Sequence, residues 1–457
     1  MKRSVFNFSA VIILFCIFVS GCFPRTSKIE RVKAGGPAEG KITLKIWIMP
    51  NSPAPEEDFR KLVQNFEKSH PDIKVEVTSI DWGAAWVRLT TAATSGDTPD
   101  ICQLGSTWVG AISSMGAFTD LTDRIKEVGG ASKFVPAAWV TSGICFSQKV
   151  TAIPWFVEAR ALFYRTDVFK RLGLAVKDLE TWDSFRRTLE KIKSANLEIN
   201  GKKISALGVS GKNDWNVVHN ISPWIWGAGG DYLSADYKKS ALDSPEAAEG
   251  LYFYASLVKD GYASLENLEL NSAQLGSNFD NGDLALIVDG PYHIRTLTTS
   301  PQEGGAANAP AAKYFGVAPF PRGPKGRVTF IGGSNLAIFK NSRHFKEAWE
   351  LIKYLLNPDV QIEYAKRTGM LPSVKEAFND PFITGDPHRR IYREAILYGK
   401  TYPCIASWGK LEPVLTRRFG LMWDELLVAP AKFSIDNVKK NLALAAKEIN
   451  GILAEER

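Results

Sequence analysis

The sequence has no Gly-x-x-x-x-Gly-Lys-Ser/Thr run, no His-Glu-x-x-His, no Gly-x-Ser-x-Gly and no Cys-x-x-Cys. A phosphate-cradling loop, a zinc-protease helix, a nucleophile elbow and a dithiol redox site are therefore not indicated by motif. Histidine is scarce. The five residues, at 70, 219, 293, 344 and 388, have no metal-ligand spacing and read as structural or solvated. Neither cofactor nor metal is expected. No run of five or more basic residues occurs. The formal charge of +7 falls to +5 once Lys2 and Arg3 leave with a leader, so nucleic acid is not an expected partner. There is no internal repeat of 20 to 50 residues.

What is present begins with size. The chain has 457 residues, 45% hydrophobic and 23% charged, more than one core usually organises, and two lobes are expected. At the start, Lys2-Arg3 precedes an apolar run over 10–19, and Ser20-Gly21 precede Cys22. The run is shorter than the ~20 residues of a spanning helix. Val19-Ser20-Gly21-Cys22 resembles the lipobox of bacterial lipoproteins, which implies cleavage after residue 21 and acylation of Cys22. Residues 22–40 are polar, include Gly35-Gly36-Pro37 and read as a flexible tether. Cys102, Cys145 and Cys404 remain. At most one disulfide can form among them; Cys102 with Cys145 is one pairing, because both fall in the expected first lobe, and buried free thiols are equally compatible.

From residue 41 the pattern alternates. Residues 42–48 are a β-prone run, residues 57–69 place Phe59, Leu62, Val63 and Phe66 on one helical face, and strands follow at 73–77 and 99–104. Strand, helix, strand predicts a parallel α/β sheet, whose ligands sit beyond the carboxyl ends of the strands. The alternation returns after Pro154, with strands near 163–164, 283–289 and 314–318, a helix capped by Thr181, and helices over 345–356 and 433–453.

Aromatic residues beside polar groups are the conspicuous resource. Sugars have C–H faces and hydroxyl edges, so their sites pair flat rings with carboxylates, amides and guanidinium groups. Among thirteen tryptophans, Trp47, Trp139, Trp182, Trp349 and Trp423 lie in apolar periodic runs and read as core. Trp108, Trp155, Trp226 and Trp408 lie beside strands or in loop-like sequence and are assigned to ligand contact.

Four segments in order, Thr98–Leu121, Ala152–Asp167, Asn281–Tyr292 and Phe330–Ile338, are similar to the family 1 extracellular solute-binding proteins, which include maltose- and glycerol-phosphate-binding members. The resemblance covers nearly all of the chain after the leader. It implies an α/β, two-lobe periplasmic-binding-protein-like fold with a ligand cleft between lobes joined by hinge crossovers. It places Glu158 where a carboxylate meets ligand hydroxyls, with Trp155 and Arg160 beside it. Glu158 and Arg160, two apart on an extended segment, point the same way; an exposed ion pair would show the same spacing. Tyr292 matches an aromatic platform, Gly332-Gly333-Ser334 lets backbone amides approach the solute, and Trp408 resembles a late stacking ring.

The expected organisation is a leader over 1–21, lipidated Cys22 and tether over 22–40, a first lobe from 41–157 and 333–373, and a second from 158–332 and 374–457. The expected function is capture of a sugar or related polyol by a monomer held by lipid outside the cytoplasmic membrane, for delivery to the permease subunits of an ABC importer. A secreted lipoprotein glycoside hydrolase would share the aromatic platforms but needs two carboxylates about 5–10 Å apart. A purely structural lipoprotein would gain no stability from any solute. Cys22→Ser is expected to abolish incorporation of a fatty-acid analogue in metabolic labelling; equal labelling of variant and parent would remove the lipobox assignment.

Overall fold

The run from Ile42 alternates as a half-covered strand must, with Leu44, Ile46 and Ile48 buried. It forms β1 (Ile42–Ile48), followed by α1 (Pro55–Ser69), which buries Phe59, Leu62, Val63 and Phe66. The computed structural model describes residues 41 to 455 apart from 213 and 215; the leader, Cys22 and the tether expected over 1–40 lie outside the described residues. After α1 come β2 (Ile73–Ser79), α2 (Trp82–Ser95), β3 (Ile101–Gly105) and α3 (Val109–Ser114). Every residue of β3 is buried, which makes it the central strand.

β1 pairs in parallel with both β2 and β3. The chain then runs through β4 (Ile153–Ala159) and β5 (Ala161–Arg165) with Arg160 alone between them. Next are α4 (Trp182–Ser194), capped by the Thr181 hydroxyl as expected, and α5 (Val217–Ala228). α6 (Ser272–Asp280), β6 (Leu286–Asp289), α7 (Tyr292–Thr298), β7 (Phe315–Ala318) and β8 (Thr329–Ile338) follow. The C-terminal part adds α8 (Phe345–Leu355), α9 (Pro358–Thr368), α10 (Trp408–Val428) and α11 (Ile435–Glu455).

Two sheets result. The larger contains β4, β8, β3, β1 and β2 in that order, extended by short strands at Leu371–Pro372 and Gly399–Lys400; β8 is antiparallel to both neighbours. The smaller is antiparallel, with β5 between β6 and β7. The chain passes from large to small sheet at Arg160 and back between β7 and β8. The expected lobe boundary between 157 and 158 thus falls inside β4, and that between 332 and 333 falls inside β8.

Of the tryptophans expected in the core, Trp182, Trp349 and Trp423 are buried, whereas Trp47 and Trp139 are half-buried. Three rings expected at a ligand are core instead. Trp155 is 0% exposed, stacked on Tyr364 at 4.4 Å and edge-on to Phe59. Trp408 is 0% exposed, stacked on Tyr402 at 4.5 Å. Trp226, 4% exposed, lies under Lys400 and donates its indole N–H to Asp231 at 3.1 Å.

Periodicity gives the reason. Trp155 is one residue from Phe156, and a one-residue step on a strand reverses the face. Trp408 is one residue from Gly409, and one residue turns a helix by about 100°. Trp155→Ala and Trp408→Ala are each expected to cost about 3–5 kcal/mol of folding stability in denaturant titrations; a loss below about 1 kcal/mol would show that these rings are not core.

Candidate ligand-binding cleft

The segments that follow β1, β2 and β3 converge on a cavity of about 1250 Å³. Pro50 and Asn51 leave β1, Trp82 follows β2, and Ser106, Thr107 and Trp108 follow β3, so the site lies where parallel strands place it. On β4 the alternate residues Phe156 and Glu158, continued by Arg160, line it. Tyr292 and the segment Gly332-Gly333-Ser334 line it as well. The structure therefore brings Trp108, Glu158, Arg160, Tyr292, Gly332, Gly333 and Ser334 to one cavity and leaves Trp155, Trp226 and Trp408 behind its walls.

Glu158 and Arg160 form an ion pair of 2.9 Å, and Arg160 also donates to the Asn216 amide oxygen at 3.0 Å. The pair is not exposed: the side chains are 3% and 14% accessible for Arg160 and Glu158. Burial works against the guanidinium charge, but Glu158, Tyr292 and Asp289 hold its pKa above the ordinary arginine value. The same charge acts on His219, where burial and then Arg160 push the pKa down to about 3. His219 is therefore a neutral ring, stacked on Phe330 at 4.3 Å and bonded to the Tyr402 hydroxyl at 2.9 Å.

The opposite occurs at His293. Both ring nitrogens face carboxylates, Asp289 at 2.6 Å and Asp280 at 2.7 Å. Burial opposes the charge, yet the two acids push the imidazole up to about 9, making it a cation in a closed ion triad. Asp289 also accepts from the Tyr292 hydroxyl and the Gly290 N–H. Tyr292 thus offers the cavity a ring more than a free hydroxyl.

The paired glycines are fixed by space. Gly333 has φ of +142°, and a Cβ there would lie 2.2 Å from the Phe156 carbonyl oxygen. The buried Ser334 hydroxyl oxygen accepts from the Gln103 amide at 2.9 Å. Gln103 in turn accepts from Asn51 and from the Met49 N–H, both at 3.0 Å, which fixes the loop after β1.

Two contributions were not assigned from sequence. Trp82 and Trp86, one turn apart on α2, join Trp108 in an aromatic wall with ring centroids 5.8 and 5.9 Å from Trp108. The signal was the pair Trp82-x-x-x-Trp86 directly after Asp81, whose carboxylate caps the helix by accepting from the Gly83 N–H. The second is a face of α10: Gly409, Glu412, Pro413, Thr416, Gly420 and Asp424 recur at helical spacing along the cavity. Gly409 is needed where it stands, since a Cβ would lie 2.4 Å from the Trp86 ring.

Most acids around the cavity are committed. Glu158 has Arg160, Asp280 and Asp289 share His293, Asp214 accepts from Ser272 and the Asn216 N–H, and Asp424 holds Lys212 at 2.7 Å. For Glu412 burial is the one influence, and it pushes the carboxyl from 4.5 up to about 7. Among the described residues no group of three or more His, Cys, Asp or Glu side chains is placed to hold a metal ion.

A cavity bounded by two sheets, walled by indoles on one side and by fixed polar groups on the other, defines a binding protein of the two-lobe periplasmic type. The chain belongs to the bacterial extracellular solute-binding protein family, whose pattern matches residues 51–362. It is 28% identical over 390 residues to the diacetylchitobiose binding protein DasA of Streptomyces coelicolor, covering 83% of this chain and 84% of that one. It is 24% identical over 408 residues to a maltotriose-binding protein of Pyrococcus abyssi, covering 88% and 80%. Its fold is that of an ABC transporter solute-binding protein from Thermotoga lettingae crystallised with alpha-D-tagatose, with a TM-score of 0.75 at 23% identity, covering 90% and 100% of the two chains. Among the described residues no helix is long and apolar enough to cross a membrane.

The Glu412 carboxyl gives a signed expectation. Its folded pKa lies above its ordinary value, so its contribution favours the folded chain at low pH and is lost as pH rises through about 7. Ligand-free Glu412→Gln is expected to gain stability over the parent between pH 5 and pH 8.5, on the order of 1 kcal/mol after solvent screening. A difference that stays constant across that range would show that the carboxyl does not titrate there.

Proposed function

We propose that the cleft captures a sugar and delivers it to the membrane subunits of an ABC importer, without chemical turnover. The observation that carries this reading is the aromatic wall of Trp82, Trp86 and Trp108 in the same cavity as Glu158, Arg160 and Asn216. Indole faces suit sugar C–H faces, and the carboxylate, guanidinium and amide groups suit hydroxyls. A volume of about 1250 Å³ exceeds the roughly 300–1000 Å³ of ordinary small-molecule sites, which favours an oligosaccharide over a single ring. The two sequence relatives described above are named for binding diacetylchitobiose and maltotriose, which supports the same class of solute.

The rival reading as a glycoside hydrolase asks for one carboxylic acid and one carboxylate free to act across a scissile bond. Five of the cavity acids are already bound to cations or donors, which favours holding over hydrolysis. On this reading the protein works as a monomer and is tethered outside the membrane through lipid on Cys22, whose sequence context is the support for that anchor.

The test is a thermal-shift screen of mono- and oligosaccharides followed by calorimetry. A sugar is expected to raise the melting temperature by mass action. Trp108→Ala and Trp86→Ala are each expected to weaken its binding about ten- to hundredfold, with little change in ligand-free melting temperature. No shift with any sugar would overturn the solute class, release of chromophore from chromogenic glycosides would overturn the absence of turnover, and full affinity in both variants would remove the aromatic wall from the site.

A further inference from the structure

Cys145 and Cys404 stand 259 positions apart in the chain, yet their backbones meet. The Cys145 N–H donates to the Cys404 carbonyl at 2.7 Å, and the Cys404 N–H donates to the Cys145 sulfur at 3.1 Å. The Cys404 thiol is buried beside the Thr141 carbonyl, 3.8 Å away, while Cys145 is half-buried. Cys102 lies in β3, fully buried in the core cluster that Cys404 joins and Cys145 packs against. The hydrogen-bonded approach is between Cys145 and Cys404, rather than within the pair Cys102 and Cys145 that a shared first lobe left open.

The surroundings hold these two residues in place. Gly143 has no room for a side chain, since a Cβ there would lie 2.2 Å from the Lys149 carbonyl oxygen. Phe146, next to Cys145, has φ of +66° and is 79% exposed, a left-handed backbone that a bulky residue keeps only under constraint. On the other side the backbone of Cys404 and Ile405 packs onto α3, where a Cβ at Gly110 would lie 2.5 Å from the Ile405 carbonyl oxygen. Three residues later α10 begins, and its next residues line the cleft.

We propose that Cys145 and Cys404 form a disulfide in the exported protein, stapling the 141–150 loop to the segment that launches α10, while Cys102 stays a free thiol. The sulfur of Cys145 already sits against the backbone nitrogen of Cys404, and forming the bond requires the side chains to rotate so that the two sulfurs meet. The oxidant is a low-molecular-weight or protein disulfide of the oxidising compartment outside the cytoplasm. The Cys145 thiolate attacks one sulfur of that disulfide and releases its first thiol. The Cys404 thiolate then attacks the Cys145 sulfur of the mixed disulfide and releases the second. Two protein thiols lose two electrons and two protons, and the oxidant becomes two thiols. Burial pushes both thiols above the ordinary cysteine value, so the exchange belongs to folding, before Cys404 is enclosed.

The test uses the full chain, exported and extracted in detergent, denatured with iodoacetamide without reductant and digested with trypsin. Cys145 lies in the peptide 134–149, Cys404 in 401–410 and Cys102 in 89–124. The expected result is 134–149 joined to 401–410, two hydrogens lighter than their sum, with 89–124 alkylated. Refolding the reduced chain with oxidised and reduced glutathione is expected to give the same product. Alkylation of both 134–149 and 401–410 in the unreduced samples, or a link involving 89–124, would overturn the pairing. Dithiothreitol is expected to lower the melting temperature of the parent by about 5 °C and to leave Cys145→Ser unmoved. A linked parent whose melting temperature ignored the reductant would overturn the stapling role.

Discussion

Arg160 occupies the single position between the large sheet and the small one, and its guanidinium is buried there with its charge intact. A buried charge is tolerated only when paired and hydrogen-bonded, and Arg160 is satisfied from several elements at once. Glu158 comes from β4, two residues back, and Asn216 precedes α5. The Arg160 backbone is tied to the start of β8 through the Phe330 carbonyl and the Thr329 hydroxyl. This charge also acts on its neighbours, alongside burial and local hydrogen bonds. It contributes to keeping His219 neutral, so that His219 stacks as an aromatic ring, and it helps hold Asp289 below the ordinary carboxylate range against burial. Asp289 in turn accepts from Tyr292 and, together with Asp280, keeps His293 charged.

That arrangement divides the polar wall into spent groups and available ones. The His293 triad, the Lys212 to Asp424 pair and the Gln103 network satisfy one another and stiffen the cavity. Pre-formed walls lower the ordering cost of binding, which is what a capture protein requires at low solute concentration. Affinity must then come from the few groups with spare capacity and from the indole faces.

Sequence reading went furthest where periodicity is regular. The buried face of α1, the cap at Thr181 and the parallel pairing of β1 with β2 and β3 were all legible, because apolar spacing and capping chemistry are local. The shared side of Glu158 and Arg160 was legible from strand alternation, and the same rule excludes Trp155 from that side. Ring chemistry outweighed parity in the assignment of Trp155, as it outweighed helical phase in the assignment of Trp408. The cleft face of α10 was missed because its members are glycines, a proline, a threonine and two acids, none of which attracts notice singly. Only their spacing of three and four identifies them. Trp82 and Trp86 were passed over for a related reason: on a helix that buries Ala85, Leu89 and Ala92, an indole resembles a core residue until the neighbouring strand end is placed beside it. The approach of Cys145 to Cys404 has no local signature at all, since it depends on where α3 and the start of α10 meet.

Glu412 shows how the two walls act together. It sits one helical turn beyond Gly409, whose missing side chain admits the Trp86 ring, and it lines the same cavity as the indole wall. Burial strips water from the carboxyl and raises the energy of its charged form, and no cation among the described residues restores it. A solute that presents a hydroxyl edge beside a C–H face reverses both terms: its face covers the indole, and its hydroxyl donates to the carboxylate. A solute with apolar surface alone would leave the carboxyl uncompensated, and a strongly anionic one would add like charge beside it. On the proposed reading, a carboxyl and an aromatic wall lining one cavity suit a neutral, amphipathic polyol better than either a purely apolar or a strongly anionic solute.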